Sequence, residues 1–116
     1  MNTRAAIVGL TGAVAIAMAL QAAQMTPDCS PTPRMSYEAS SAIKRSLLPP
    51  GALMSDYILD HIVPLCMGGS NDRSNLQLQT QSEAARKDEA EFMLCREIRR
   101  HKISCQEARK QMMLWK

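Results

Sequence analysis

The sequence predicts an α+β fold, a two-stranded hairpin and a long helix braced by one helix before and one after and stapled by disulfides. Three observations carry this. A short apolar run at 57–63 and an alternating polar and apolar run at 75–79 flank a stretch dense in turn formers, Gly68-Gly69-Ser70-Asn71-Asp72, which is the pattern of a hairpin. Apolar residues then recur at roughly helical spacing up to about Arg100. Finally, a chain of 116 residues with one Phe, one Trp and two Tyr carries four cysteines. A core so poor in aromatic side chains needs extra staples.

Residues 1–23 hold one charged residue, Arg4, followed by an apolar run from Ala5 to Leu20 and then small and polar residues. That is the order of a secretory signal peptide, with Ala17 and Ala19 or Ala22 and Ala23 as cleavage signals. An uncleaved anchor is the alternative, although the run falls short of the roughly 20 residues that span a bilayer. Cleavage leaves a domain of roughly 95 residues, periplasmic or secreted, with no stable membrane association.

Residues 24–56 read as an extended arm and a first helix. Pro27, Pro31 and Pro33 keep the arm irregular, and Cys29 is its tether. Ser36 caps the helix, Glu38 lies in its first turn, Ala39, Ile43 and Leu47 share a face, and Pro49-Pro50-Gly51 ends it. Residues 57–100 form the core, with Pro64 expected at the end of the first strand. Ser82 is the expected cap of the long helix, with Glu83 complementing its positive end. Residues 101–116 form a basic C-terminal helix opened by the capping box Ser104-x-x-Glu107.

Cys29, Cys66, Cys95 and Cys105 form an even set in an exported small domain, which reads as two disulfides with three possible connectivities. Cys95 and Cys105 flank the predicted turn between the last two helices, which favours joining them and leaving Cys29 to Cys66. Geometry rather than sequence decides pairing. A zinc site is disfavoured, since no Cys-x-x-Cys pair occurs.

The net charge of +3 says little about partners. Its distribution says more, because the segment from Arg96 to Lys116 carries seven Lys or Arg against two Glu. Such a tail is either a solvated helix face or a footprint for a polyanion, with Arg96, Arg99, Arg100 and Lys102 as candidate phosphate contacts. Arg73 in the hairpin loop and Lys87 on the long helix are further candidates. The plainer reading of Lys87, Asp88 and Glu91 is a salt-bridge ladder in water.

An Asp-His pair inside a short apolar run is an unusual choice for packing alone. Asp60-His61-Ile62-Val63-Pro64-Leu65, the Gly68-Gly69 turn, Asn75-Leu76-Gln77 and Ala84-x-x-Lys87-Asp88-x-x-Glu91 together resemble the HNH endonucleases. More narrowly, they resemble a group of small exported bacterial HNH-type proteins, over about residues 57–91. The resemblance implies a ββα-metal core and hydrolysis of phosphodiester bonds in DNA or RNA outside the cytoplasm, with backbone contacts and little sequence specificity. His61 would be the general base, since imidazole can take a proton at neutral pH. Asp60 would hold a single divalent ion, Mg²⁺ or alternatively Mn²⁺, Ni²⁺ or Zn²⁺. Asn75 would orient His61 across the hairpin. Adjacent strand residues point to opposite faces, so the resemblance also implies a distorted strand end that brings Asp60 and His61 together. Where the family places a His or Asn on the helix, this chain has Ala84 and Ala85, which leaves Glu83 or Asp88 to supply the second metal ligand. A catalytically inactive exported binding or structural protein on the same fold is the alternative.

Overall fold

The computed structural model describes residues 29–116. The expected signal peptide at 1–23 lies outside them. The described chain is mixed helix and strand, with three α-helices, a two-stranded antiparallel sheet and two disulfides. No helix among the described residues is long and apolar enough to cross a membrane.

Helix α1 spans Tyr37–Leu47 and starts where its cap predicts, with Ser36 Oγ accepting from the Ala39 N–H at 3.1 Å. Strands β1, Tyr57–His61, and β2, Leu76–Thr80, pair with Tyr57 opposite Thr80, Asp60 opposite Gln77 and His61 opposite Leu76. β1 therefore ends at His61, three residues before Pro64. Pro64 instead introduces a 3₁₀ turn, Leu65–Met67, where its fixed φ fits. β2 starts one residue later than expected, because Asn75 belongs to a second 3₁₀ turn, Arg73–Asn75.

Helix α2, Gln81–Arg99, is capped by Thr80 rather than Ser82. Thr80 Oγ1 accepts from the Glu83 N–H, and the Glu83 carboxylate accepts from the Thr80 N–H, so both donors of a capping box are satisfied. The sequence Thr80-x-x-Glu83 is the signal that the Ser82 reading passed over. Helix α3, Cys105–Leu114, is capped by Ser104 as expected.

The apolar core lies below the hairpin loop, where Met67, Ile98, Cys105, Ala108 and Met112 are buried with Val63, Leu94 and Ile103 packed against them. The loop is drawn in tightly. Gly68 takes φ +72°, and a Cβ on Gly69 would fall 1.8 Å from the Val63 carbonyl oxygen, so only glycine lets the two backbones approach this closely. Arg109 Nε donates to the Met67 carbonyl at 2.6 Å, fixing α3 to the same loop.

The cysteine pairing departs from the favoured expectation. Cys29 joins Cys105 and Cys66 joins Cys95. The first bond straps the N-terminal arm to the start of α3, and the second ties the hairpin loop to the C-terminal part of α2. Two further bonds hold the arm along the loop, from the Thr32 N–H to the Leu65 carbonyl and from Asn71 Nδ2 to the Pro33 carbonyl, each 2.9 Å.

Candidate functional site

β1 keeps ordinary strand alternation to its last residue, so Asp60 and His61 look in opposite directions. The expected convergence of the two is not met. Asp60 faces α2 and His61 faces the arm and α1, and each has its own set of partners.

On the α2 side Asp60 is buried. Its Oδ2 forms an ion pair with Lys87 Nζ and accepts from Gln77 Nε2, directly across the hairpin, at 2.9 Å. Lys87 is only 1% exposed. Its ammonium also donates to the carbonyls of His61 at 2.7 Å and Ile62 at 3.2 Å. A buried ammonium with three oxygen acceptors is a satisfied one. Lys87 is therefore no contact for nucleic acid, and the solvated ladder is not formed: the residue is a cation built into the fold, fixing the end of β1 onto α2.

Glu91, one turn along, places Oε1 3.7 Å from Lys87 Nζ. Burial pushes its carboxyl up to about 7, against the pull of Lys87 and with the charges of Asp60 and Asp88 adding to the rise. Glu91 thus holds its proton more tightly in the folded chain than at its ordinary value of 4.5. The stabilisation is complete below that value, is lost as pH rises toward 7, and changes little above. Solvent screening of this partly exposed group leaves an expected loss of about 1–2 kcal/mol. Urea unfolding at about pH 5 and about pH 8 should show that loss in the parent and a flatter response in Glu91→Gln. Equal slopes in the two proteins would assign the pH dependence elsewhere.

The expected metal ligands do not gather. Glu83 is committed to its capping box, Asp88 is exposed on α2, and Asp60 is paired with Lys87. Among the described residues no group of three His, Cys, Asp or Glu stands close enough to hold an ion. Asp60, Glu83 and Asp88 therefore do not fit as a ligand set in this arrangement.

His61 lies on the other side, half-buried, lining a cavity of about 350 Å³ with Arg34, Ser40 and Leu59. Its Nε2 is 2.9 Å from Asn71 Oδ1. The neighbouring bond fixes the direction of this one. Asn71 Nδ2 donates to the Pro33 carbonyl, which can only accept, so Oδ1 is the atom turned to His61 and Nε2 must carry the proton. The lone pair of the neutral ring then sits on Nδ1.

Asn75 does not orient His61. Its Oδ1 accepts from the Val63 N–H at 2.9 Å while Nδ2 donates to the carbonyls of Val63 at 3.0 Å and Ser70 at 2.8 Å. It closes the loop beyond β1, and the positioning role belongs to Asn71. Of the remaining basic candidates, Arg73, Arg99, Arg100 and Lys102 are exposed. Arg96 is half-buried, with its guanidinium 5.9 Å from the Phe92 ring centroid and its Nε without a protein partner. Arg34 was missed, because it lies in a proline-rich arm that carries no motif.

No family model, curated protein or solved structure matches the chain.

Proposed function

We propose that this chain is an exported HNH-type endonuclease that hydrolyses phosphodiester bonds in DNA or RNA, with His61 as general base. The observation that carries the reading is the His61–Asn71–Pro33 relay. A half-buried imidazole is held by its Nε2 so that Nδ1 is left as the proton acceptor, at the edge of a cavity that also contains a guanidinium. A histidine serving packing alone has no need of a side-chain amide that fixes its tautomer. In the reaction, His61 Nδ1 takes the proton of the attacking water as its oxygen bonds to phosphorus, the bond from phosphorus to the leaving sugar oxygen breaks, and that oxygen takes a proton from solvent. Arg34, in the same cavity, offsets the charge that develops on the phosphoryl oxygens.

Mg²⁺ or a similar divalent ion remains what the family resemblance implies. No step is assigned to it, since Asp60 is committed to Lys87. Asp60 serves instead to hold the end of β1, and so the backbone of His61, against α2. The two disulfides suit action in an oxidising compartment, periplasmic or extracellular.

The test is plasmid nicking by purified, oxidised protein, with each of Mg²⁺, Mn²⁺, Ni²⁺ and Zn²⁺ and with a chelator. His61→Ala should lower the rate at least about 100-fold, the usual worth of a positioned base. Asn71→Ala should lower it less and shift the pH profile, because the tautomer is no longer fixed. Equal nicking by the parent and His61→Ala would remove His61 from the mechanism. The pairing of Asp60 with Lys87 favours a second reading, an inactive binding module. Salt-sensitive DNA retention without nicking under any metal would select it.

A further inference from the structure

We infer that the crease between the arm, α1 and β1 is a track for a single-stranded polynucleotide, and that the basic C-terminal segment is not where substrate is held. This rests on the reading of His61 as the cleaving base and names the substrate class for that site. Two cavities of about 350 Å³ each lie along the crease and share Ser40 and Leu59. They form one path. At one end are His61 and Arg34, and at the other Tyr37, Ser41 and Lys44.

The chemistry of the lining is one-sided. Among the described residues, the formally charged ones on the two cavity walls are both cations, Arg34 and Lys44, and no carboxylate lines either cavity. The Ser41 hydroxyl supplies a neutral donor for a phosphate oxygen, whereas Ser40 Oγ already donates to the Tyr37 carbonyl at 2.9 Å. None of Arg96, Arg99, Arg100 and Lys102 lines either cavity. Tyr37 decides between single and double strands. In a chain with only four aromatic side chains, this one is left 85% exposed at the rim of the path rather than spent on the core. An exposed ring beside cations is a stacking platform, and it can take only a base that is not already stacked within a duplex. Phosphates would lie on Arg34 and Lys44, with a base against Tyr37 at one end and a phosphodiester further along the strand at His61.

The test is fluorescence anisotropy at low salt on the full oxidised protein carrying His61→Ala, so that binding is read without cleavage. Probes are labelled oligothymidine and oligouridine of about twelve nucleotides and a duplex of the same length. Single strands should bind at least about tenfold tighter than the duplex, and the two single strands together show whether the sugar matters. Tyr37→Ala should weaken single-strand binding by about 5- to 100-fold, with Tyr37→Phe retaining it. Arg34→Ala should weaken it and reduce the salt slope by about 1. Tyr37 is exposed, so its loss leaves the fold intact.

Duplex binding as tight as single-strand binding, or a Tyr37→Ala protein that binds as well as its parent, would overturn the track. Loss of binding on Arg99→Ala/Arg100→Ala instead would also overturn it. These outcomes are independent of the His61 assay. Cleavage of a single-stranded oligonucleotide that depends on His61 but ignores Tyr37 sinks the track alone, whereas Tyr37-dependent binding with no His61-dependent cleavage of that strand sinks the nuclease reading alone.

Discussion

Lys87→Met is expected to destabilise the protein by about 3–5 kcal/mol, the range for breaking a buried ion pair by removing one partner. Met keeps the length and apolar stem of the side chain, so little volume is lost. The loss is electrostatic. Asp60 would stay buried with Gln77 as its remaining side-chain donor, and the carbonyls of His61 and Ile62 would lose the ammonium that satisfies them. Lys87→Arg should not rescue it, since a planar guanidinium cannot sit in a pocket shaped around one nitrogen, where the present side chain is already only 1% exposed. Asp60→Leu/Lys87→Met, which removes both charges, should recover part of the stability of Lys87→Met alone, because an apolar pair of similar volume avoids desolvating either charge. Urea midpoints measure all four proteins. A loss below about 1 kcal/mol for Lys87→Met would mean that the pair is not held in solution.

Removing the Cys29–Cys105 bond is expected to cost about 4–5 kcal/mol, and removing Cys66–Cys95 about 3–4 kcal/mol, if chain entropy sets the scale. The two bonds close loops with sequence separations of 76 and 29, and the order of the two costs follows from that difference. Packing reinforces the order. Cys105 is buried in the core and Cys29 packs against it, so alanines there also leave space among Met67, Ala108 and Met112. Thermal unfolding of Cys29→Ala/Cys105→Ala and Cys66→Ala/Cys95→Ala reads both costs. A non-reducing peptide map of the parent provides the check on connectivity, and peptides joined through Cys29–Cys66 and Cys95–Cys105 would refute the pairing described here. Under the proposed nuclease reading, the first double variant should also lose cleavage, since the same bond holds the arm that brings Arg34 to the cavity at His61 and the Pro33 carbonyl to Asn71.

Elements governed by neighbours in sequence were legible. Ser36, the proline pair at 49 and 50, the Gly68-Gly69 turn and Ser104 each act over a few residues, and each marks an observed boundary or turn. The start of α2 was displaced by two residues because Ser82 and Thr80 are both plausible caps. Only the carboxylate of Glu83, reaching back to the Thr80 N–H, decides between them.

The site was legible in its residue types and not in its partnerships. His61 could be singled out, but a hydrogen bond from ten residues away in an irregular loop has no periodic signature, and Asn71 and Asn75 are equally reasonable in a turn. Lys87 looked solvated since a lysine on a polar helix face normally is. Its burial follows from the position of Asp60 across the sheet–helix interface, which is a tertiary fact. Strand alternation argued from the outset that Asp60 and His61 diverge, and that elementary rule proved stronger than the convergence expected by resemblance.

The two disulfides are nested, one enclosed within the sequence span of the other. A chain delivered from its N-terminus presents Cys29 to Cys66 and then to Cys95 before its own partner exists. Pairing in order of appearance would yield Cys29–Cys66 and Cys95–Cys105, leaving the arm on the wrong element. The native set therefore requires either that Cys29 wait as a free thiol until α3 has arrived or that an early bond be exchanged. Attack of one thiolate on another bond's sulfur is enough for the exchange. Maturation of this small domain is thus governed by timing and thiol traffic as much as by packing. If bonds form as their partners arrive, the arm beside His61 is locked last, and a molecule caught before that step would have its hairpin but not its finished cleft.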